Sequence, residues 1–268
     1  MDELYFNSSV LLVYLAVKYE GDLDKILTAI SLYNNDIPYE EALKVYKSLP
    51  CRAVTILDYD YPQKLKQAYR PPIVLFYYGD LSLLDKKIFA VVGSREMSDY
   101  GRQCTETIVT DMAKESVIIS GLAKGIDAAA HECAIRNSGR TIAVLGSGID
   151  NCYPTENKEL YEEIKKNHLL ISEYPYMATP DREHFPMRNR IITGLCDAIY
   201  IPQINSYMSG TMISITLGLD LGKAIFVAAY PPGSDTINNK LLDEGANFAM
   251  SAEQICEELG WRQKRKFS

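Results

Sequence analysis

The sequence has no long hydrophobic run, only one tryptophan and three histidines among 268 residues, and no excess of basic side chains. Its longest apolar stretch, around residues 10–17, is shorter than the ~20 residues that a membrane-spanning helix needs. No basic segment precedes that stretch, so we predict no signal peptide, a cytoplasmic location and no membrane partner. The net charge of −7 excludes a chain coated in positive charge, but it allows a local basic site.

Several motifs of known chemistry are also missing. The six cysteines are at least 19 residues apart, so there is no CxxC pair, and we expect reduced thiols that pack as small hydrophobic side chains. The chain has no GxxxxGK[ST] phosphate loop, no GxGxxG after its first predicted α/β strand, no HExxH and no GxSxG. These absences argue against P-loop ATP hydrolysis, dinucleotide redox chemistry, zinc proteolysis and esterase chemistry. We predict no metal and no cofactor.

The hydrophobic pattern divides the chain into regions of different kinds. The first ~60 residues show helical spacing of leucine, isoleucine and alanine, which predicts a small helical domain over residues 1–62. A segment with three prolines and three tyrosines follows at 58–72, and a short apolar strand at 73–78 comes after it, so 63–85 is predicted as a connector. An α/β domain is predicted over 86–260, and a basic tail over 261–268.

Short apolar runs alternate with amphipathic stretches from residue 87 onward. The six predicted strands cover residues 88–92, 117–120, 141–145, 169–172, 198–201 and 224–228. Helical stretches separate them, which is typical of βαβ units. The predicted fold class is therefore α/β, with a Rossmann-like, doubly wound and mostly parallel sheet that follows the helical domain.

In such a sheet, ligands bind outside the carboxyl ends of the strands. Glycine stands in the loops that follow four of the first five predicted strands, together with serine, lysine or arginine. Glycine lets a ligand approach the backbone closely, and backbone N–H groups at helix N-termini bind anions. The pattern predicts an edge that holds phosphate groups.

Candidate catalytic groups are few. Asp127 is either a general base or a cap at the head of a helix, and Glu173 is either catalytic or holds an arginine in place. His131 is expected to pack on its helix, and His168 to lie at a helix C-terminus. We therefore predict no catalytic residues and no enzymatic activity.

Several strings occur in order along the α/β part. They are FAVVGSR at 89–95, SGLAKGIDAAAH at 120–131, TIAVLGSGID at 141–150, YPTEN at 153–157, SEYP at 172–175 and FPMRNRIITGL at 185–195. Together they resemble the DNA-processing protein A family (DprA, also called Smf) over about residues 86–250. The N-terminal helices resemble the small SAM-like domain of some members only loosely.

The resemblance implies a non-enzymatic protein that binds single-stranded DNA, protects it and loads a RecA-type recombinase onto it in natural transformation. It also implies a homodimer formed through the α/β domain. Single strands are held by positively lined grooves with stacking surfaces, and guanidinium groups suit phosphates. The predicted nucleic-acid-binding residues are Gly93, Ser94, Arg95, Ser120, Gly121, Lys124, Gly125, Asp127, Phe185, Arg188, Asn189, Arg190, Ser209 and Gly210.

Alternatives remain open for parts of this site. Phe185 either stacks on a base or belongs to the core, and Arg188 or Arg190 pairs with DNA or with Asp181, Glu183 or Glu173. The chain departs from the family after the fifth strand, where IPQINSYMSGTM at 201–212 has Gln203 near an acidic position and an extra residue before Ser209. Other functions remain open too, namely a nucleoside-monophosphate phosphoribohydrolase-like enzyme or a protein-interaction scaffold. The glycine pairing and the glutamate of that enzyme family's loop are missing at 208–215.

Overall fold

The computed structural model describes residues 3–32, 39–249 and 251–262, with side chains from residue 8 onward. Within these ranges the chain forms a nine-stranded sheet with helices on both faces. The strands are β1 (Arg52–Thr55), β2 (Val74–Gly79), β3 (Ile88–Val91), β4 (Val117–Ser120), β5 (Thr141–Leu145), β6 (Leu169–Ser172), β7 (Ala198–Ile201), β8 (Ala224–Val227) and β9 (Asn247–Phe248). The helices are α1 (Glu3–Lys18), α2 (Leu23–Ser31), α3 (Tyr39–Lys47), α4 (Asp99–Glu115), α5 (Ile126–Arg136), α6 (Lys158–Asn167), α7 (His184–Leu195), α8 (Gly210–Asp220), α9 (Ile237–Asp243) and α10 (Ala252–Glu258).

The strand order is β1-β2-β6-β5-β4-β3-β7-β8-β9. Strands β3 to β9 are parallel, whereas β1 and β2 are antiparallel to their neighbours. The chain builds outward from β3 to β6, then crosses back to place β7 on the other side of β3. This reversal creates a topological switch point at the carboxyl ends of β3 and β7. The predicted Rossmann-like fold class is confirmed, and the six predicted strands correspond to β3–β8.

Side chains along the central strands point alternately to the two faces of the sheet and so contribute to two hydrophobic cores. In β3, Ile88 and Ala90 pack on one face with residues of α7 and α8, and Phe89 and Val91 pack on the other with residues of α4 and α5. Every β3 side chain is buried, as expected for a parallel strand covered on both faces. This double cover fixes the register of the strands, and with it the positions of the loops at their carboxyl ends.

The N-terminal helices share a third core with the sheet. Val10 and Val13 of α1 lie in one buried cluster with Phe76 of β2 and Leu170 of β6. The segment predicted as a connector, 63–85, carries β2 between two short 3₁₀ turns, Gln63–Gln67 and Leu81–Asp85. The division of the chain into domains stays a prediction.

The start of the predicted basic tail packs against the α/β part. The Lys87 ammonium lies 5.2 Å from the centre of the Trp261 ring, and Arg262 forms an ion pair with Glu115. Residues 263–268, which hold the other predicted basic side chains, lie outside the described residues. In the described ranges, no helix combines the length and the apolar character that crossing a membrane requires.

Candidate nucleic-acid interface

A cleft of about 810 Å³ opens at the switch point, between the loops that follow β3 and β7 and the first turns of α7 and α8. Its lining includes nine of the predicted residues, namely Gly93, Ser94, Arg95, Asp127, Phe185, Arg188, Asn189, Ser209 and Gly210. A neighbouring pocket of about 50 Å³ shares Arg95, Phe185 and Arg188 with the cleft and is also lined by Gly121 and Lys124. The structure thus brings most of the predicted site to one edge of the sheet.

Arg188 contributes a buried positive charge to the cleft. Its side chain is 4% exposed, Nη1 donates a hydrogen bond to the Val144 carbonyl at 2.5 Å, and Nε donates to Asn189 Oδ1 at 3.0 Å. Burial lowers the pKa of Arg188 to about 10, and the nearby Asp127 acts in the opposite direction. The guanidinium therefore stays charged at neutral pH and is already oriented before any ligand arrives.

Two glycines of the loop after β4 are needed for close approaches within the protein itself. A Cβ at Gly121 would lie 1.9 Å from Arg188 Nη1, so only glycine leaves room for the guanidinium. Gly125 has φ +78°, and a Cβ there would lie 2.4 Å from the Ser94 carbonyl oxygen. These glycines let the loops after β3 and β4 and the head of α7 pack together.

Asp127 lies in the first turn of α5 and is 6% exposed. Its Oδ2 accepts a hydrogen bond from the Gly121 backbone N–H at 3.2 Å. Burial raises the pKa of the Asp127 carboxyl, while Arg188 and the backbone N–H groups of Ala123 and Gly121 lower it. Asp127 is not the predicted cap, because Gly125 occupies the N-cap position of α5; its carboxylate instead holds the loop before the helix.

His131 lies on α5, fully buried, with Nδ1 2.6 Å from the Thr141 hydroxyl. That hydroxyl donates its hydrogen to the Ile118 carbonyl at 2.8 Å, so Nδ1 carries the proton and donates to Thr141. Burial lowers the pKa of His131 to about 3. The imidazole is neutral at physiological pH, and its predicted packing role is confirmed.

Arginine and aromatic rings meet at the mouth of the cleft. The Arg95 guanidinium is exposed and lies 5.5 Å from the centre of the Phe185 ring, within cation–π distance. The Phe185 ring is half-buried and packs 5.3 Å from the ring of Tyr153, which is itself exposed. The Phe185 ring therefore packs against Tyr153 and lies beside the Arg95 cation without joining a core cluster, and base stacking stays a prediction.

Other predicted residues organise the loops or lie at the rim. Lys124 is exposed and forms an ion pair with the exposed Glu156, a kind of pair that salt screens easily. Asn189 Nδ2 donates to the Gly210 carbonyl at 2.9 Å, which ties α7 to the head of α8. Ser209 caps α8, because its hydroxyl oxygen accepts from the Met212 backbone N–H.

Three predicted residues line neither the cleft nor the small pocket. Gly125 packs under the loop after β3, and Ser120 donates its hydroxyl hydrogen to the buried Val91 carbonyl at 2.6 Å. Arg190 is 2% exposed and forms an ion pair with the buried Glu173 at 2.5 Å. Pairing with Glu173 was the alternative predicted for this arginine, and holding an arginine was the predicted structural role of Glu173.

Sequence reasoning missed several residues of the cleft, chiefly Tyr153, Arg182, Asn205 and Ser206. Tyr153 begins the YPTEN string and Arg182 lies in the loop before α7, so both carried a signal. Asn205 and Ser206 belong to the segment after β7 that departs from the family pattern. Within that segment, Gln203 Oε1 accepts hydrogen bonds from the backbone N–H and the hydroxyl of Ser98 at 2.9 and 3.0 Å, a role that needs an acceptor but no charge.

Comparison with known proteins gives concordant matches. The sequence model of the family described as DNA recombination-mediator protein A matches residues 52–260. DNA processing protein DprA of Streptococcus pneumoniae is 40% identical over 220 residues, which cover 80% of this chain and 76% of that protein. DNA processing protein DprA of Bacillus subtilis is 38% identical over 224 residues, which cover 81% and 74%.

Solved structures agree with the sequence matches. The X-ray structure of the S. pneumoniae protein superposes with a TM-score of 0.77 at 33% identity, covering 94% of this chain and 93% of that one. A structure of DNA processing protein A from Helicobacter pylori, described for its single-stranded DNA binding mode, has a TM-score of 0.71 at 30% identity and covers 81% and 98%. The chain therefore belongs to the DNA recombination-mediator protein A family, the DprA/Smf family that its motifs predict.

Proposed function

We propose that this protein binds single-stranded DNA in the cleft, protects it and loads a RecA-type recombinase onto it in natural transformation and recombination. One observation carries the DNA-binding part of the proposal. Arg188 is held, buried and charged, in the lining of a cleft whose mouth carries Arg95 stacked on Phe185. A fixed cation for phosphate beside an aromatic ring for bases is the combination that single-strand binding requires. The family description as a recombination mediator supports the recombinase as partner.

The charge distribution favours a single strand over a duplex. Three arginines, Arg95, Arg182 and Arg188, line the cleft together with two acids, Glu96 and Asp127. The whole chain nevertheless carries −7, so the surface outside the cleft repels a rigid polyanion. A flexible strand can enter a local cationic cleft, whereas a duplex needs a broad basic face. The single-strand binding described for the H. pylori relative supports the same choice.

We also propose that the protein acts without catalysis. The two carboxylates predicted as candidate catalytic groups are engaged in structural contacts, Asp127 with Gly121 and Glu173 with Arg190. The competing assignment, hydrolysis of nucleoside monophosphates, predicts release of free base when the protein is incubated with these nucleotides. Base release that disappears in an Asp127→Asn variant would contradict the proposed function.

A salt titration against matched single-stranded and duplex oligonucleotides tests the proposed function. We expect the single strand to bind at least ~10-fold more tightly than the duplex. The slope of log K against log salt concentration should be roughly −2, which corresponds to about three neutralised phosphates at about 0.7 each. Fluorescence anisotropy of end-labelled oligo-dT, followed at several salt concentrations, measures both quantities. Equal affinity for the duplex, or affinity independent of salt, would contradict binding in the cleft.

We further propose that the protein forms a homodimer through the exposed face of α8. This helix is apolar on its outer side as well as on its buried side, with Leu219 61% exposed and Ile213 38% exposed. Tyr69 is also exposed, and it lines a cavity of about 280 Å³ together with Leu217 and Leu221. An apolar face of this kind is typical of an interface, and a second copy of the chain is the partner that the family resemblance implies.

The dimer is tested by placing a charge on this face. We expect Leu219→Arg to elute and scatter light as a single chain, whereas wild type has twice that mass, because a buried arginine without a partner disfavours association. Leu57→Arg is the matched control, since Leu57 is an exposed leucine outside α8 and should leave the dimer intact. Dimers of unchanged affinity in Leu219→Arg would place the interface elsewhere.

A further inference from the structure

The loop between β7 and α8, which departs from the family pattern, forms one rim of the cleft. Asn205, Ser206 and Ser209 line the cleft on both sides of the tip of this loop. The two tip residues project into solvent, Tyr207 with 48% of its surface exposed and Met208 with 98%. Neither residue lines the cleft or belongs to a hydrophobic core cluster.

The base of the loop is held firmly. Gln203 Nε2 donates to Asn205 Oδ1 at 2.7 Å, and Asn205 Nδ2 donates to the Glu96 carbonyl at 3.0 Å. Gln203 also accepts from Ser98 at the head of α4. These bonds link the loop after β7 to the loop after β3, which carries Arg95. The rim therefore keeps a fixed position relative to the arginine at the mouth.

The tip itself is shaped by a local turn. The Met208 backbone N–H donates to the Ser206 hydroxyl oxygen at 3.1 Å, and Ser209 begins α8 as its cap. A short turn that is fixed at both ends loses little additional backbone freedom when a ligand binds. Exposure of Tyr207 and Met208 is thus a property of an ordered turn between two fixed points.

The chemistry of the tip suits nucleobases. A tyrosine ring offers a flat surface on which any base can stack, and a methionine thioether makes favourable contacts with aromatic rings. An aromatic ring and a soft apolar side chain on the rim of a cationic cleft extend the same kind of surface outward.

We propose that Tyr207 and Met208 form a stacking rim that receives the bases of the single strand where it leaves the cleft. This inference rests on the proposed function, because it requires the phosphates to be held at Arg95 and Arg188. The rim lengthens the stretch of DNA that one protomer contacts and adds affinity that depends on bases rather than on phosphates.

The test compares wild type with Tyr207→Ser/Met208→Ser on oligo-dT of increasing length, from about 4 to 16 nucleotides, the range of known single-strand sites. We expect equal affinity for the shortest oligonucleotides, which fill only the cleft, and about 10-fold weaker binding of the variant to the longer ones. The same long oligonucleotides with abasic residues at either end provide the second arm. Wild type should lose about 10-fold on these, and the variant should be indifferent to them. Tyr59→Ser, which removes a tyrosine that is 97% exposed and lines no part of the cleft, is the matched control.

Each outcome decides the matter. Identical length profiles for wild type and the rim variant, with strong binding by both, overturn the stacking rim and leave the proposed function standing. Retained binding together with loss of recombinase recruitment assigns the tip to a protein partner and also overturns the inference. If wild type binds no single strand, the proposed function fails and the rim fails with it.

Discussion

The double variant Arg95→Glu/Lys124→Glu is expected to bind single-stranded oligonucleotides at least ~100-fold more weakly than wild type, because two charge-assisted contacts become repulsive. Both side chains are exposed, Arg95 at the mouth of the cleft and Lys124 at the small pocket beside it, and neither is part of a core cluster. The melting temperature should therefore stay close to that of wild type. Fluorescence anisotropy at fixed salt measures the affinity, and thermal unfolding checks the fold.

The control for this variant must carry the same change in net charge. Lys114→Glu/Arg136→Glu meets that condition with two exposed basic residues in the last turns of α4 and α5. Helices of a doubly wound sheet run antiparallel to the strands, so these last turns lie at the edge opposite the cleft. We expect near wild-type binding from the control pair. Equal weakening in both pairs would mean that overall charge, and not the cleft, determines the affinity.

Arg190→Met is expected to lower the free energy of unfolding by roughly 3–5 kcal/mol, the usual cost of removing one partner from a buried ion pair. Arg190 and Glu173 are 2% and 5% exposed, and Nη2 of the arginine contacts both carboxylate oxygens. Without the guanidinium, the Glu173 carboxylate keeps a charge that burial disfavours. Urea denaturation measures the change. The second substitution Glu173→Gln should restore about half of the loss, because it removes the unpaired charge.

The pH dependence of stability in Arg190→Met tests whether the unpaired Glu173 carboxylate causes the loss of stability. Burial raises the pKa of Glu173, and Arg190 is the main group that opposes this shift, with Arg70 as a weaker one. In Arg190→Met the folded state therefore holds a proton at Glu173 more tightly than the unfolded state does, whose carboxyl titrates near pH ~4.3. The stability deficit should grow as the pH rises above that value, and Glu173→Gln should abolish this growth. A deficit that is the same at pH 5 and at pH 8 would argue against this account.

Much of the fold could be predicted from the sequence because parallel strands buried on both faces read as short apolar runs. The predictions for 117–120, 141–145, 169–172 and 198–201 coincide with β4 to β7. Two strands at the sheet edges, β1 and β9, were not predicted. β1 has an exposed first residue, and β9 has only two residues, both exposed, so neither shows the apolar run that marks a buried strand. Their places depend on pairing with distant partners.

The sequence predicted which edge of the sheet carries the candidate site, but it predicted the contacts of the individual side chains less well. The switch-point rule placed Arg95, Phe185 and Arg188 in one region, and the structure brings them to one cleft. Two of the glycines have a role that the sequence did not predict. Gly121 leaves room for the Arg188 guanidinium and Gly125 for the Ser94 carbonyl, which no single loop reveals because both partners lie on other elements.

The two arginines of α7 illustrate what the sequence alone determines and what depends on the tertiary structure. By itself the sequence determined most of the elements, the fold class and the family, and it predicted which edge carries the site, because periodicity and loop composition are local properties. It also showed that two arginines stand two positions apart at the head of one helix. Such positions are turned by about 200° around a helix axis, so Arg188 and Arg190 must point in nearly opposite directions. Only the packing of α7 between the sheet and α8 decided that Arg188 lines the cleft and that Arg190 is buried against Glu173.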